Sequence, residues 1–155
     1  MSELKSNLKV YNERELKSEP GVGGPGQPLK KLVGDDEHPS ERLLVIVKSF
    51  ETGEHEQLHW HLIEAFYYII SGRAVLTDIE GKSYNVGPGD VIYAPPGIAG
   101  SHGWDIKEEL KLIGVRATTD PEKFIQFSVD KSTMESSIEL DYLLKRAGAK
   151  FKSLY

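Results

Sequence analysis

The sequence from residue 53 to residue 72 reads GEHEQLHWHLIEAFYYIISG, and this stretch decides the predicted fold. It contains two short segments typical of β-strands, Gln57–His61 and Phe66–Ile70, with a tight turn expected between them. Side chains alternate between the two faces of a strand, so the imidazoles of His59 and His61 converge while Trp60 points away. The stretch therefore predicts two strands and a pair of histidines on one face.

Further segments of the same kind lie on both sides of this stretch. Leu43–Val47 is a continuous, β-branched run typical of a buried strand. Turn signals such as Thr52-Gly53, Ser71-Gly72 and Gly87-Pro88-Gly89 separate the segments. The pattern predicts an all-β antiparallel sandwich or barrel, without alternating helices and without an internal repeat. The predicted strands span residues 43–47, 57–61, 66–70, 73–79, 82–86, 90–94, 110–117 and 123–129.

The two ends of the chain differ from this middle part. Seven of the nine residues from Pro20 to Pro28 are glycine or proline, which disfavours a regular helix or a central strand there. We interpret residues 1–40 as an N-terminal arm, with a partly disordered tail as the alternative. Residues 41–130 form the predicted barrel. Residues 131–155 contain a capping box at Ser132–Glu135 and apolar residues at helical spacing, which predict one C-terminal helix of about fifteen residues and a tail.

Composition limits the possible functions. The chain has 155 residues, no cysteine, 24 acidic and 19 basic side chains, and a formal net charge of -5. This length fits one domain, and the negative charge argues against a nucleic-acid partner. We expect no membrane segment and no signal peptide, and hence a cytoplasmic protein. Without thiols, any metal must be held by nitrogen and oxygen ligands.

The histidines provide such ligands. Glu64 follows His61 across the predicted turn, and His102 follows a second segment rich in turn residues. These four residues form a candidate site for a divalent first-row transition metal, namely iron, manganese, nickel, copper or zinc. The alternative is that His59 and His61 are an incidental surface pair. The two remaining histidines, His38 and His55, are interpreted as loop and surface residues.

Two motifs give the chain a resemblance to a known family. Gly53, His59-x-His61 and the strand that ends at Gly72 resemble the first cupin motif. The sequence GDVIYAPPG at residues 89–97, which leads to His102-Gly103-Trp104, resembles the second. The resemblance implies a double-stranded β-helix, or jelly-roll barrel, with a metal inside one mouth.

The resemblance also implies a ligand set, from which this chain departs at two points. The family's glutamate position, counted back from Gly72, falls on Ala65, whereas the glutamate here is Glu64. A shift of one residue reverses the facing of a side chain unless a bulge or turn restores it. The metal ligands are therefore His59, His61, Glu64 and His102, or the three histidines alone. The second departure is that two extra residues precede His102, and an even insertion keeps its facing.

A cupin site of this kind favours an enzyme that acts on a small organic acid, ketone or phenol. We expect an oxygenase, with a decarboxylase or an isomerase as the next candidates, because such a ligand set leaves positions open for substrate and dioxygen. The alternative is a non-catalytic barrel that binds or senses a metabolite. Tyr67, Tyr68 and Tyr93 are the pocket candidates, and only one of the adjacent pair Tyr67 and Tyr68 faces inward. Arg73 is a possible carboxylate anchor or an exposed charge. Exposed sheet edges predict a homodimer.

Overall fold

A computed structural model describes residues 4–21, 23–120 and 123–139. Within these ranges the chain forms one curled antiparallel sheet with ten strands and two short 3-10 turns, and it contains no α-helix. The strands are β1 (Glu19–Gly21), β2 (Gly24–Val33), β3 (Leu44–Phe50), β4 (His55–His61), β5 (Ala65–Asp78), β6 (Ser83–Val86), β7 (Val91–Ala94), β8 (His102–Arg116), β9 (Gln126–Val129) and β10 (Ser136–Ile138). The 3-10 turns are Glu13–Glu15 and Ile98–Gly100.

The long strand β8 is the centre of the sheet. Along one edge it pairs with β5 over most of its length. Along the other edge its first residues pair with β4 and its last residues pair with β3. Strands β6 and β7 continue the sheet beyond β5, and β9 and β10 continue it beyond β4. Residues 102–116 therefore connect the strand that carries His59 and His61 with the strands on the far side of the sheet.

Strand β5 joins two segments that the sequence predicts as separate strands. Ser71 and Gly72 were expected to form a turn, but they lie inside β5, where the pairing with β8 shifts register three times between Ile69 and Ala74. Gly72 has a positive φ of 86°. A Cβ at this position would lie 2.0 Å from the carbonyl oxygen of Glu109 on the neighbouring strand. The glycine therefore allows an irregular strand to bend close to β8 instead of reversing the chain.

The core lies on the concave face of the sheet. Its largest fully buried side chain is Trp104, which is 1% exposed, and its other members come mainly from β5 and β8. The alternation of buried and exposed residues along Ala65–Ile70 agrees with one face packed and one face in solvent. The buried apolar cluster comprises Phe50, Ala65, Tyr67, Ile69, Ala74, Leu76, Val86, Ile92, Ala94, Trp104, Ile106, Leu110 and Leu112.

The N-terminal residues contribute strands to the sheet. The expectation that no inner strand passes through Pro20–Pro28 is wrong, because β2 lies between β1 and β3. Its ladder with β3 begins at Leu29, after both prolines of the strand. Pro25 and Pro28 therefore stand outside that ladder, where a missing N–H group costs little.

The predicted C-terminal helix is wrong for residues 132–139. These residues form a turn followed by β10, which pairs with β9. Met134 has a φ of 60°, which a right-handed helix does not allow. The carboxylate of Asp130 accepts hydrogen bonds from the backbone of Ser132 and Thr133, so it holds the turn that was interpreted as a capping box. The remaining positions of the predicted helix, up to Gly148 as its expected C-cap, lie outside the described residues.

Candidate metal centre

Three buried histidines meet at one end of the sheet. His59 and His61 lie on β4, and His102 is the first residue of β8, directly opposite His59 in the pairing of the two strands. The ring centroids of His59 and His102 are 4.5 Å apart. One possible ligand atom from each of the three residues lies within 4.8 Å of those of the other two. The strand alternation predicted from the sequence accounts for His59 and His61, and cross-strand pairing adds His102.

Backbone hydrogen bonds orient two of these rings. Nδ1 of His59 lies 2.7 Å from the carbonyl oxygen of Gln57, and Nδ1 of His102 lies 2.8 Å from that of Gly100. A carbonyl oxygen only accepts, so each Nδ1 carries the hydrogen and each Nε2 keeps its lone pair. Nε2 of His61 is buried and has no hydrogen-bond partner among the residues that the structure describes. Such an arrangement of imidazoles suits a metal ion, since a ligating histidine commonly donates its other ring N–H to a carbonyl.

The 3-10 turn Ile98–Gly100 accommodates the two extra residues before His102. The amide of Gly100 donates to the carbonyl of Gly97, and the amide of Ser101 donates to that of Ile98. The turn delivers Gly100 to a position where its carbonyl accepts from the ring of His102. The longer connection therefore also supplies the group that orients the imidazole.

The environment keeps the imidazoles of His61 and His102 neutral. Burial lowers the pKa of His61 well below its usual value, and the charges of His59 and Arg116 lower it further. Burial and His59 also lower the pKa of His102 to about 3, although the Gly100 carbonyl and Glu56 act in the opposite direction. A metal ligand must be the unprotonated imidazole. Both residues therefore present the correct form at neutral pH.

Glu56 is a carboxylate beside the site that the sequence reasoning missed. Its Oε2 lies 4.0 Å from Nε2 of His59, and it forms an ion pair with Lys48 of β3. Burial opposes its ionisation, but Lys48 and His59 outweigh that effect and lower the pKa of Glu56 to about 2. Regular alternation would place residues 56 and 59 on opposite faces, whereas the pairing of β4 with β8 shifts register between them. The position of Glu56 depends on this register shift, which cannot be predicted from the alternation of residues along one strand.

Glu64 is not brought together with the three histidines. It is exposed, and its carboxylate accepts a hydrogen bond of 2.8 Å from the hydroxyl of Tyr93. Ala65, which stands at the family's glutamate position, is fully buried. The offset of one residue between Glu64 and Ala65 is not restored by a bulge, so Glu64 faces outward.

Of the three tyrosine candidates, Tyr67 is the one beside the histidines. Its hydroxyl lies 3.3 Å from Nε2 of His102 and accepts a hydrogen bond of 2.9 Å from Nη2 of Arg116. Tyr68 and Tyr93 are 41% and 60% exposed. Tyr93 nevertheless lines a cavity that also borders His102. Only Tyr67 of the adjacent pair faces inward, as alternation requires.

The other candidate residues lie elsewhere. The side chain of Arg73 is 68% exposed and lies 3.8 Å from a carboxylate oxygen of Glu108, so it is a surface charge. His55 is likewise exposed and bonded to Asp105 at 2.7 Å. The ring of His38 lies beside that of Tyr11 in a tilted arrangement, with ring centroids 4.3 Å apart. It is not part of the three-histidine group. Arg116 is the arginine at the site, and no sequence motif distinguished it.

A small cavity of about 280 Å³ lies against β5, β6 and β7. Its lining includes His102, but neither His59, His61 nor Tyr67. The cavity therefore reaches the histidine group from one side only. Its lining residues are Leu76, Thr77, Asp78, Tyr84, Val86, Val91, Ile92, Tyr93, Ala94, Pro95, Ala99, Gly100, Ser101 and His102.

The buried histidines make stability depend on pH in the metal-free protein. The folded state holds His61 and His102 with lowered pKa values, while the unfolded chain protonates them near pH 6.5. The unfolded state then binds more protons below pH 6.5, so the free energy of unfolding falls as the pH falls. We expect a slope of up to about 1.4 kcal/mol per pH unit for each histidine. Glu56 adds to the loss below its unfolded value of 4.5.

Urea unfolding of chelator-treated protein at several pH values from 8 to 5 measures this slope. A stability that stays constant or rises as the pH falls from 7 to 5 contradicts it. His55→Ala is the matched control, because this exposed histidine lies on the same strand.

Comparison with known proteins identifies the family. The family model of the cupin domain matches residues 38–115, half of the chain. Together with the curled antiparallel sheet and the three converging histidines, this match defines the class of protein. The chain belongs to the cupin family. A comparison with curated proteins finds no match.

Solved structures of similar fold include several cupins and enzymes. The polyketide cyclase RemF from Streptomyces resistomycificus has a TM-score of 0.60 at 22% identity, covering 70% of this chain and 78% of that one. An RmlC-like cupin from Shewanella frigidimarina has a TM-score of 0.57 at 17% identity, covering 73% and 91%. An oxalate decarboxylase from B. subtilis has a TM-score of 0.56 at 25% identity, covering 76% of this chain but 31% of that one. These likenesses establish the fold.

The described residues include no helix that is long and apolar enough to cross a membrane.

Proposed function

We propose that this cupin is a metal-dependent enzyme that acts on a small organic molecule, with His59, His61 and His102 as the ligands. The observation that carries the proposal is the set of three buried imidazoles whose ring nitrogens approach one another. Within the described part of the chain, Nε2 of His61 has no hydrogen-bond partner. A buried polar atom without a partner is costly, and a metal ion would satisfy it. Which divalent first-row metal binds is a matter of geometry and availability.

The surrounding residues support this ligand set. The backbone carbonyls of Gln57 and Gly100 fix the rings of His59 and His102, and Lys48 holds Glu56 close to His59. Glu64 stays with Tyr93 on the outside, which favours the three-histidine alternative over a set that includes Glu64.

We further propose an oxygenase reaction in the first place, with decarboxylase or isomerase activity as the next candidates. A metal held by three histidines can coordinate a substrate and dioxygen together or polarise a carbonyl group. The proteins with similar folds are named for different reactions, including a polyketide cyclase, an oxalate decarboxylase and a salicylate 1,2-dioxygenase. Because one fold hosts many reactions, the reaction type is assigned by experiment.

Oxygen uptake by the reconstituted protein tests the proposed function. The metal-free protein is loaded with iron(II) under nitrogen and then assayed with diketones, hydroxyphenyl ketones and catechols in an oxygen electrode. We expect substrate-dependent uptake with at least one class and none with the zinc-loaded control, since zinc does not undergo redox chemistry. Substrate conversion without oxygen uptake would indicate a decarboxylase or isomerase. Binding without conversion would indicate the non-catalytic alternative, a barrel that binds or senses a metabolite.

The homodimer and the cytoplasmic location stay predictions. Light scattering of the full chain measures the first, and a mass near that of one chain, 17.3 kDa, would contradict it.

A further inference from the structure

Arg116 places a positive charge at the edge of the histidine group. It is the last residue of β8, and its side chain is half-buried. Its Nη2 donates to the hydroxyl of Tyr67 at 2.9 Å, and its Nη1 donates to the carbonyl of Val115 at 3.1 Å. Both acceptors are neutral oxygen atoms. A guanidinium has five N–H donors, so most of its hydrogen-bonding capacity is not used by these two contacts.

The charge of Arg116 has no acidic partner in the part of the chain that the structure describes. Other cations of the sheet do have one: Lys48 pairs with Glu56, Lys111 with Glu13 and Arg73 with Glu108. Taking a charge partly out of water is unfavourable unless an opposite charge or hydrogen bonds compensate for it. The guanidinium at the site is therefore half-buried without a carboxylate partner among the described residues.

Tyr67 connects this guanidinium to the histidines. Its hydroxyl accepts from Arg116 and lies 3.3 Å from Nε2 of His102. Without a metal ion, Nε2 of His102 is the acceptor and the tyrosine hydroxyl is the donor, since Nδ1 of His102 carries the hydrogen. A metal ion on Nε2 would occupy that lone pair, and the single hydroxyl hydrogen would then be donated to another acceptor. Arg116 and the nitrogen that would bind the metal are thus separated by a single hydroxyl group. A ligand only a few atoms long would span the two.

The charges around this position favour an anion. The Lys48–Glu56 pair is internally compensated. A divalent metal would add two positive charges to that of Arg116. A guanidinium binds a carboxylate through two parallel N–H···O bonds, which supplies orientation as well as charge.

We propose that the substrate carries a carboxylate group, that Arg116 binds this group and that the Tyr67 hydroxyl is a second donor to it. The proposal rests on the proposed function in that the rest of the substrate lies towards the three histidines. It assigns to Arg116 the role of carboxylate anchor that the sequence suggested for Arg73. Arg116 and Tyr67 are specificity residues in this proposal, and no proton or electron transfer is assigned to them.

Calorimetric titration of the zinc-loaded protein tests the anchor without any turnover. The probes are two carboxylates and their neutral amides, namely benzoate against benzamide and glycolate against glycolamide. We expect each carboxylate to bind about tenfold or more tightly than its amide, in line with a charge-assisted bidentate contact. Arg116→Gln should bring the two affinities to within about twofold of each other, while Arg116→Lys should give an intermediate ratio because it keeps the charge and loses the planar fork.

Arg73→Gln is the matched control, since this arginine is exposed and paired with Glu108. It should keep the carboxylate preference of the unmodified protein. The zinc content of every variant is measured alongside, so that a lost anchor is distinguished from a lost metal. Equal affinity for acid and amide, no measurable carboxylate binding, or a preference that survives Arg116→Gln with zinc retained would each overturn the proposal.

The two proposals fail in different ways. A protein that holds no zinc contradicts the proposed function, and the acid and amide probes are then compared on the metal-free protein. A protein that holds zinc but shows no preference for the carboxylate contradicts only the anchor. If Arg116→Gln does not fold, the carboxylate preference is measured with two other variants. Tyr67→Phe removes the second donor, and Arg116→Lys keeps the charge but loses the planar fork.

Discussion

We expect His59→Ala and His61→Ala each to lose the metal that the proposed function assigns to the unmodified chain. Purified without chelator, the unmodified protein is expected to hold about one first-row ion per chain, and each variant at least about tenfold less. The physical reason is that each substitution removes one of three ligands, and the remaining two cannot hold the ion against dilution. Elemental analysis of the purified proteins measures the content, and circular dichroism checks that the β-structure is kept.

Two control variants make this result specific to the buried group. His55→Ala removes an imidazole from the same strand, but this ring is exposed and bonded to Asp105. Glu64→Ala removes the carboxylate at the sequence-predicted position, which is bonded to Tyr93 instead. Both should retain the metal of the unmodified protein. Metal retained after loss of His59 or His61 would mean that the site is elsewhere, and metal lost from Glu64→Ala would restore that residue to the ligand set.

Trp104→Ala is expected to lower the free energy of unfolding by about 3–5 kcal/mol. Trp104 is 1% exposed and is the largest of the fully buried side chains. Its ring packs edge-on against Tyr67, with centroids 5.5 Å apart, and lies 6.3 Å from those of Phe50 and His102. Its removal leaves a cavity that a sheet paired on both sides cannot close. Since a domain is stable by about 5–15 kcal/mol, this loss is a large part of the total.

Trp60→Ala is the matched comparison for this effect. Trp60 is a neighbour of the ligands in sequence, but it points to the other face of β4 and stacks on Phe127 with ring centroids 4.1 Å apart. Its loss should cost about 1 kcal/mol, in the range of one aromatic pair. Urea unfolding of both variants without metal gives the two values. Equal losses in the free energy of unfolding would contradict the placement of Trp104 in the core and of Trp60 on the other face of β4.

The sequence alone was sufficient for the parts of the fold that depend on local patterns. Alternation placed His59 and His61 on one face and limited the inward-facing tyrosine to one of Tyr67 and Tyr68, and the two motifs indicated the family. The family model at residues 38–115 confirms it. These features need only neighbouring residues along one strand.

Features that depend on pairing between strands could not be predicted in the same way. The register shift between residues 56 and 59 places Glu56 beside His59, against simple alternation. The two strands predicted on either side of Gly72 form a single bent strand, because both pair with the same partner strand, residues 102–116. The helix expected near Ser132 was wrong because the helical spacing of apolar residues does not account for the positive φ of Met134 or for pairing with β9. No motif or alternation pattern in the sequence distinguishes Arg116 from the other arginines.

The course of β8 links the two ends of the proposed substrate site. The strand has 15 residues, so its first and last residues would be roughly 45 Å apart if it were straight. Yet His102 at its beginning and Arg116 at its end both contact the hydroxyl of one tyrosine. The distance between metal ligand and anion anchor is therefore set by how tightly this one strand coils. Substitutions at its middle, far from either group, are therefore expected to change the length of substrate that the proposed site accepts.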